Sequence, residues 1–167
     1  MIKTVTVQSL PTDIRKACPQ DRATVLSMLS KTGFFRQPEL KVAEEVFDDA
    51  VTKGPNCDYQ SFICYQQDMP LGWICFGPAP CTVGAFDIYW LVVEPQTQRR
   101  GIGSSLMRFA METIRGNNGR MILVETSGSE RYVSTRRFYE RMGFCQAAVV
   151  KDFYSIGDDK VIYVKYV

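Results

Sequence analysis

The sequence predicts a mixed α/β (α+β) protein in which helices cover a central sheet. Two short apolar runs rich in β-branched residues, Ile88–Val93 and Met121–Thr126, are typical of buried strands. Between them, Ser104–Ile114 carries apolar residues at helical spacing. Since strand and helix patterns alternate in this way, we expect three layers around one sheet.

Turn residues divide the rest of the chain into further elements. Two helices, Pro19–Ser30 and Pro38–Thr52, begin with proline, which is tolerated at a helix start. Met1–Leu10 alternates weakly, which predicts either an extra strand or a loose extension. The other predicted elements are strands at Ile14–Ala17, Ser61–Tyr65, Leu71–Phe76, Phe144–Val150 and Val161–Tyr166, and a helix at Arg131–Met142.

Size and composition limit the classes of protein. The 167 residues suit one domain with a sizeable core. A net charge of +2 argues against a large nucleic-acid footprint, so no nucleic-acid partner is expected. No apolar run approaches the length of about 20 residues that a membrane span needs. The first residues lack the apolar core of a signal peptide, which predicts a cytoplasmic protein without membrane attachment.

The cysteine and histidine content limits the chemistry. The six cysteines include no C-x-x-C pair and the chain has no histidine, so no metal site is expected. The missing histidine also excludes a Ser-His-Asp or Cys-His mechanism within one chain. Acid–base chemistry must therefore come from carboxylates, tyrosines, lysines, cysteine or water.

The segment Asp87–Arg108 joins a predicted strand to a predicted helix through two arginines and a Gly-x-Gly. The first turn of a helix has unpaired N–H groups, and glycine lets an anion approach them closely. The segment has neither the glycine spacing nor the Gly-Lys-Ser/Thr end of a Walker loop. Leu106 stands where a dinucleotide fingerprint needs its third glycine. A phosphate-binding turn and an ordinary strand-to-helix turn both remain open.

Two motifs resemble those of the GNAT N-acetyltransferase superfamily. Gln98-x-x-Gly101-x-Gly103 is similar to the loop that holds the acetyl-CoA pyrophosphate, and Thr135–Phe144, with Phe138-Tyr139 and then Gly143-Phe144, resembles the second GNAT signature. The resemblance implies one GNAT domain over residues 1–167, with 1–12 as a possible extension. It also implies a mixed, mostly antiparallel sheet of six to seven strands flanked by about four helices.

The resemblance further implies that acetyl-CoA (coenzyme A) is the cofactor. Its pantetheine arm would lie in a gap between Leu91–Val93 and Leu123–Thr126. Many members have asparagine and alanine where this chain has Tyr132 and Thr135, so contacts made by that asparagine are in doubt. The implied cofactor-binding residues are Leu91, Val92, Val93, Gln98, Arg99, Arg100, Gly101, Ile102, Gly103, Ser104, Ser105, Ser134, Thr135 and Phe138.

The implied reaction is direct attack of an amine on acetyl-CoA in a ternary complex. A lysine-like amine has a pKa of about 10.4, so only about one in 2,500 is neutral at pH 7 and a base is needed. Glu125 is the first candidate base, followed by Asp87 and Glu94. Tyr139 matches the signature tyrosine and is the candidate proton donor to the leaving thiolate. A core aromatic is the alternative for Tyr139.

The acceptor side is less readable, and its amine could belong to a small molecule or a peptide. The implied substrate-binding residues are Phe34, Phe35, Asp87 and Tyr89, with Arg36 beside them. The alternative for the two phenylalanines is a plug between helices. The acidic tail around Asp158 and Asp159 either lines the acceptor site or forms a solvated hairpin.

Two other functions remain open at this point. A non-catalytic acyl-CoA sensor would bind the cofactor and do no chemistry. An acetyltransferase of a protein N-terminus or lysine would act on a macromolecule. An unpaired edge strand in such a sheet would also allow a homodimer.

Overall fold

The structure is a computed structural model that describes residues 13–54 and 57–167. The possible extension at 1–12 and the predicted element Met1–Leu10 lie outside the described residues. The strands are β1 (Asp13–Lys16), β2 (Gln60–Gln66), β3 (Met69–Pro78), β4 (Ala85–Val93), β5 (Met121–Ser127), β6 (Cys145–Ser155) and β7 (Asp158–Tyr166). The helices are α1 (Arg22–Thr32), α2 (Gln37–Thr52), α3 (Ile102–Gly116) and α4 (Val133–Arg141).

The seven strands form one sheet in the order β1-β2-β3-β4-β5-β7-β6. Strands β4 and β5 are parallel, and every other neighbouring pair is antiparallel. A parallel pair needs a crossover, and α3 supplies it. The prediction of a mixed, mostly antiparallel sheet of six to seven strands with about four helices is confirmed.

Helices cover both faces of the sheet, and β3 shows how the two faces are divided. Ile74 and Phe76 point into the core under α3 and α4, whereas Trp73 and Cys75 point into the core under α1 and α2. This follows from the period of two along a strand, which sends successive side chains to opposite faces. All four side chains are fully buried, so the central strand is anchored from both sides.

Three sequence predictions are corrected by the structure. The run Ile88–Val93 is not buried on both faces, because Tyr89, Trp90 and Leu91 are only half-buried. The final helix begins at Val133, after a short 3₁₀ turn over Glu130–Tyr132. The charged segment before the last strand is not a loop, since β7 already begins at Asp158. The Asp158 side chain is therefore carried by a strand rather than by a loop.

No helix in the ranges 13–54 and 57–167 is long and apolar enough to cross a membrane. The same ranges contain no group of three or more histidine, cysteine, aspartate or glutamate residues placed to hold a metal ion.

Candidate active site

A gap opens in the middle of the sheet between β4 and β5. The two strands pair only from Ala85 to Ile88 and from Met121 to Val124. Beyond these residues, Trp90–Val93 keeps its pairing with β3 and Glu125–Ser127 keeps its pairing with β7. The facing edges of the two strands therefore have backbone groups that do not pair with each other. Leu123 and Val124 were expected within the gap but are still paired, so the gap begins two residues later on β5 than predicted.

The end of β4 leads into the first turn of α3, as the sequence predicts. Gly101 precedes the helix with a φ of +86°, and Arg99 has a φ of +64°. Ser105 N–H donates to the Gly101 carbonyl at 2.9 Å, which closes the first turn and leaves the preceding amides of the helix outside its hydrogen-bond ladder. The chain thus presents a helix N-terminus, with its positive dipole end, beside the gap.

Gly103 keeps this turn open. A Cβ atom added there would lie 3.5 Å from Val93 Cγ2 and 3.7 Å from the Phe138 ring. These are ordinary contacts, so the protein itself does not require glycine at this position. An anion approaching the amides would benefit from the missing side chain.

A cleft of about 500 Å³ occupies the gap and extends towards α1, α2, α4 and β7. It brings together ten of the residues that the sequence predicts for the site: Phe34, Phe35, Tyr89, Leu91, Val92, Val93, Gln98, Glu125, Thr135 and Tyr139. Its walls come from segments far apart in the chain, which is the usual form of a small-molecule site.

The other predicted site residues lie outside the cleft lining. Asp87 is still in the paired part of β4, Ser134 is exposed on α4, and the Ile102 side chain is buried in the core. Phe138 packs near Gly103 and against the Tyr139 ring. The remaining residues belong to the exposed or half-buried turn at the start of α3: Arg99, Arg100, Gly101, Gly103, Ser104 and Ser105.

Tyr139 is both a core aromatic and a cleft residue. Its ring is buried against Phe138, Phe144 and Tyr163. Within the described part of the chain its hydroxyl has no hydrogen-bond partner, and no fully buried side-chain polar atom lacks one. The hydroxyl therefore opens onto the cleft, which Tyr139 lines. Burial raises the pKa of the Tyr139 phenol above its ordinary value, so it stays protonated at neutral and mildly alkaline pH.

Glu125 lies where the gap begins, one residue beyond Val124, the last residue of β5 that pairs with β4. Its side chain is half exposed, and Lys160 Nζ on β7 donates to its Oε2 at 3.0 Å. The ammonium is also 3.7 Å from the centre of the Phe153 ring. The carboxylate is therefore held at the wall of the cleft by a cation that is itself well covered.

Asp87 carries a charge that the fold does not favour. Burial raises the pKa of its carboxyl, and the negative charge of Glu125 raises it further. The raised pKa in the folded state means that Asp87 contributes stability below the unfolded pKa of about 3.9, and this contribution is lost as the pH rises through the folded pKa.

We therefore expect Asp87→Asn to become more stable relative to wild type as the pH rises from 3 to 7. The reason is that asparagine avoids placing a charge in a half-buried position. Melting temperatures measured at four or five pH values test this. Asp68→Asn, in the exposed turn before β3, is the control and should show a smaller trend. A constant difference between Asp87→Asn and wild type would contradict the assignment.

One end of the cleft is closed by contacts between the α1–α2 loop and the start of α4. Phe34 and Tyr132 meet edge to face at 5.1 Å between ring centres. The Arg131 guanidinium lies 5.4 Å from the Phe34 ring centre and donates to the Gly33 carbonyl at 2.6 Å. Phe35 packs edge to face on Trp90 of β4 at 5.3 Å. Both phenylalanines line the cleft, and Phe35 also packs against the core under α1 and α2.

The acidic tail divides into two parts. Tyr154 and Asp158 line the cleft. Asp159 instead pairs with Lys151 at 2.7 Å, and the Asp152 carboxylate accepts from the Gly157 amide at 2.6 Å. Asp158 and Asp159 have different surroundings because successive residues of β7 point to opposite faces.

Sequence reasoning missed several residues of the cleft. They are Thr32, Glu39, Trp90, Ser127, Ser129, Arg131 and Ser155. Trp90 carries the clearest signal, since a large aromatic side chain beside the predicted gap could have been proposed as part of the wall of the cleft. Ser127 and Ser129 had no such signal in the sequence, because their position depends on the pairing of β5 with β7.

A sheet that splits beside a helix N-terminus, with a tyrosine facing the gap, defines a class of acyl-CoA-dependent transferases. Residues 57–146 match the family model described as the acetyltransferase (GNAT) domain. The chain therefore belongs to the GNAT acetyltransferase family, whose members transfer the acetyl group of acetyl-CoA to amines.

Known proteins agree at the level of family and fold. A crystal structure of a GNAT-family candidate acetyltransferase from Desulfovibrio desulfuricans is 39% identical, with a TM-score of 0.89, covering 93% of this chain and 99% of that one. An aminoglycoside 6′-N-acetyltransferase solved with coenzyme A is 16% identical, with a TM-score of 0.73, covering 92% of this chain and 96% of that one. The S-(2-succino)cysteine N-acetyltransferase of Bacillus subtilis (strain 168) is 28% identical over 72 residues. That match spans 43% of this chain and 44% of the relative.

Proposed function

We propose that this protein is an acetyl-CoA-dependent N-acetyltransferase in which an amine attacks the thioester directly in a ternary complex. The observation that carries the proposal is the gap between β4 and β5. It ends at the first turn of α3 on one side and at the Tyr139 hydroxyl and the acceptor wall on the other.

The residues present fit coenzyme A. The facing edge of Leu91–Val93 has backbone groups that would pair with the amides of the pantetheine arm, as an added strand would. The amides at the start of α3 would hold the pyrophosphate, with Arg99 and Arg100 exposed beside them. Gln98 lines the cleft next to this turn.

The chemistry needs two proton transfers. The proposed base is Glu125, which stands at the start of the gap and reaches the amine directly or through water. The proposed donor to the leaving thiolate is Tyr139, whose hydroxyl has no competing partner among the described residues. A backbone N–H of β4 in the gap would stabilise the developing oxyanion.

Acetyl-CoA binding and turnover test the proposal together. We expect acetyl-CoA at about 100 times its dissociation constant to raise the free energy of unfolding by roughly 2.7 kcal/mol and the melting temperature by several degrees. ATP and NAD serve as controls and should give smaller shifts. Mass spectrometry of reactions with amine panels then measures product.

The outcomes separate the candidate functions. Acetyl-CoA binding with an acetylated small amine supports the proposal. Binding without turnover of any small amine or peptide favours the acyl-CoA sensor. Turnover of peptides alone favours an acetyltransferase of protein N-termini or lysines. The absence of any shift at saturating acetyl-CoA would refute the cofactor site itself.

The proposal includes a setting for the enzyme. We place one domain over residues 1–167 in the cytoplasm, supported by six cysteines of which none is joined in a disulfide among the described residues. A homodimer is supported by β6, which lies at the edge of the sheet and is exposed along almost its whole length.

A further inference from the structure

The charged side chains that line the cleft are only partly neutralised by each other. Arg36 Nε lies 3.1 Å from Glu39 Oε2, so these two charges form a pair at the α2 end of the cleft. Glu125 is paired with Lys160 in the same way. Two lining charges are left over. They are Asp158 and Arg131, and within residues 13–54 and 57–167 neither forms an ion pair.

Asp158 is a fixed carboxylate. It is the first residue of β7, and its Oδ1 accepts from the Ser127 hydroxyl at 2.5 Å. The Ser127 hydroxyl oxygen in turn lies 2.7 Å from the Ser129 hydroxyl oxygen. Arg136 donates to the carbonyl groups of both serines, at 2.7 and 2.8 Å. The loop beneath Asp158 is thus held from α4. Arg36 is close enough to Asp158 to interact with it electrostatically, but its salt bridge is to Glu39. The Asp158 carboxylate therefore has no cation bonded to it, and it can bind an ammonium group.

Arg131 is a fixed cation. One of its nitrogens donates to the Gly33 carbonyl, and the guanidinium lies over the Phe34 ring. A guanidinium has five N–H donors, so most of its donors remain for a ligand. Its planar fork suits a carboxylate better than any other group of a small metabolite except phosphate.

Both charges act on the same group in the cleft. Burial raises the pKa of the Tyr132 phenol, and the nearby Glu39 and Asp158 raise it further, whereas Arg131 and Arg36 lower it. Tyr132 also lines the cleft and packs on Phe34. The anion site and the cation site therefore lie in one compartment, on the acceptor side of the gap.

From this arrangement we infer that the acceptor is a zwitterionic α-amino acid, whose ammonium group binds Asp158 and whose carboxylate binds Arg131. The inference rests on the proposed function, since it names the acceptor of that reaction. A simple amine would leave Arg131 without a partner, and a polyamine would bring a second cation towards it. The apolar part of the acceptor would contact the aromatic wall formed by Phe34, Tyr132 and Tyr154.

The reaction balances with this acceptor. The bound ammonium loses one proton, to Glu125 or to water, and the neutral nitrogen attacks the thioester carbonyl carbon. The C–N bond forms and the C–S bond breaks, with its electron pair going to sulfur. Tyr139 gives the thiolate a proton and recovers one from the nitrogen through water. The products are the N-acetylamino acid, coenzyme A as thiol and one proton.

The test compares acceptors that differ only in the carboxylate. The twenty common L-amino acids are screened with acetyl-CoA, and the best one is compared with its amide and with the amine that lacks the carboxyl group. We expect kcat/KM to be at least about tenfold higher for the amino acid, since a hydrogen-bonded charge pair is being lost in the other two. Equal or better rates with the amide and the decarboxylated amine would overturn the inference.

Two variants test which residue binds the carboxylate of the acceptor and which binds its ammonium group. Arg131→Gln should raise KM for the amino acid about tenfold or more and leave KM for the decarboxylated amine unchanged. Asp158→Asn should raise KM for both acceptors. Arg115→Gln and Asp68→Asn, which are exposed and distant from the cleft, are the matched controls and should change neither. If Arg131→Gln raises both KM values equally, the guanidinium does not bind the carboxylate.

Acetyl-CoA binding, measured separately by thermal shift, distinguishes the two levels of failure. Intact binding with turnover of amines but not of amino acids contradicts only the acceptor class. Intact binding without turnover of any amine or amino acid contradicts the acceptor class and favours the sensor. The absence of acetyl-CoA binding contradicts the proposed function itself.

Discussion

Replacing Tyr139 with phenylalanine should lower kcat by roughly 10²-fold or more, because general acid catalysis contributes about that much. The ring would keep its contacts with Phe138, Phe144 and Tyr163. Since the hydroxyl has no partner in the described chain, its removal leaves no buried group unsatisfied. The melting temperature should therefore change little. Steady-state kinetics with a fixed amine and varied acetyl-CoA measure the effect, and KM for acetyl-CoA should stay within a factor of about three.

The neighbouring Tyr163 provides the matched control. It is also buried, but its hydroxyl donates to Glu140 at 3.1 Å and lies outside the cleft lining. Tyr163→Phe should therefore cost about 0.5–1.5 kcal/mol of stability and leave kcat unchanged. The two variants have opposite expected effects, which separates catalysis from packing. A Tyr139→Phe enzyme with kcat within a factor of three of wild type would show that Tyr139 is only a core residue.

The pH dependence of kcat provides a second test of the role of Tyr139. Burial holds the pKa of Tyr139 above the ordinary value of about 10. The phenol therefore remains a donor well past pH 9, and the alkaline limb of the rate should not come from this residue. For the same reason Tyr139→Phe should lower kcat by a similar factor at pH 7 and pH 9.

The geometry of the turn that is proposed to bind the cofactor could be predicted from sequence, because its determinants are local. Gln98, Gly101 and Gly103 lie in the segment that joins a strand to a helix. This order alone brings the unpaired amides of the first helical turn and the positive end of the helix dipole to the end of the strand. Tyr139 was placed by the second signature, which is also contiguous. The positions of both motifs depend on a few neighbouring residues rather than on the pairing of distant strands.

The acceptor side was not readable to the same extent, because it is assembled by register. Asp158 meets Ser127 only because β7 pairs with β5, with Lys160 opposite Ser127. A shift of one residue would turn the Asp158 side chain to the other face and bring Asp159 in its place. Sequence alone identified the acidic tail, but it offered no means of choosing between these two carboxylates.

The contacts that long side chains make with loops could not be predicted from the sequence either. Arg131 was counted within a predicted helix, and its bond to the Gly33 carbonyl joins residues 98 positions apart. Arg136 likewise donates both of its described hydrogen bonds to carbonyl groups of the loop after β5. Long side chains at the ends of elements choose partners through the tertiary structure, which periodicity does not report.

Gly103→Glu should weaken acetyl-CoA binding by roughly 100-fold or more. The added carboxylate would stand at the first turn of α3, where the cofactor's pyrophosphate is proposed to bind. Two like charges at about 4 Å repel by about 4 kcal/mol at an effective dielectric constant of 20. The same substitution should not destabilise the fold, because glutamate favours helix more than glycine does and suits a helix N-terminus. Titration calorimetry with acetyl-CoA and a thermal melt without it measure the two effects.

Two further variants separate charge from bulk and from general effects on α3. Gly103→Gln adds nearly the same volume without charge, so the difference between Gln and Glu at this position measures the electrostatic part. Gly116→Glu places the same side chain at the exposed C-terminal end of α3, where an added Cβ meets nothing within 4 Å. It should disfavour the helix slightly through the dipole and leave acetyl-CoA binding unchanged. A Gly103→Glu protein that binds acetyl-CoA as tightly as wild type would remove the anion site from this turn. The turn would then be only the connection between β4 and α3.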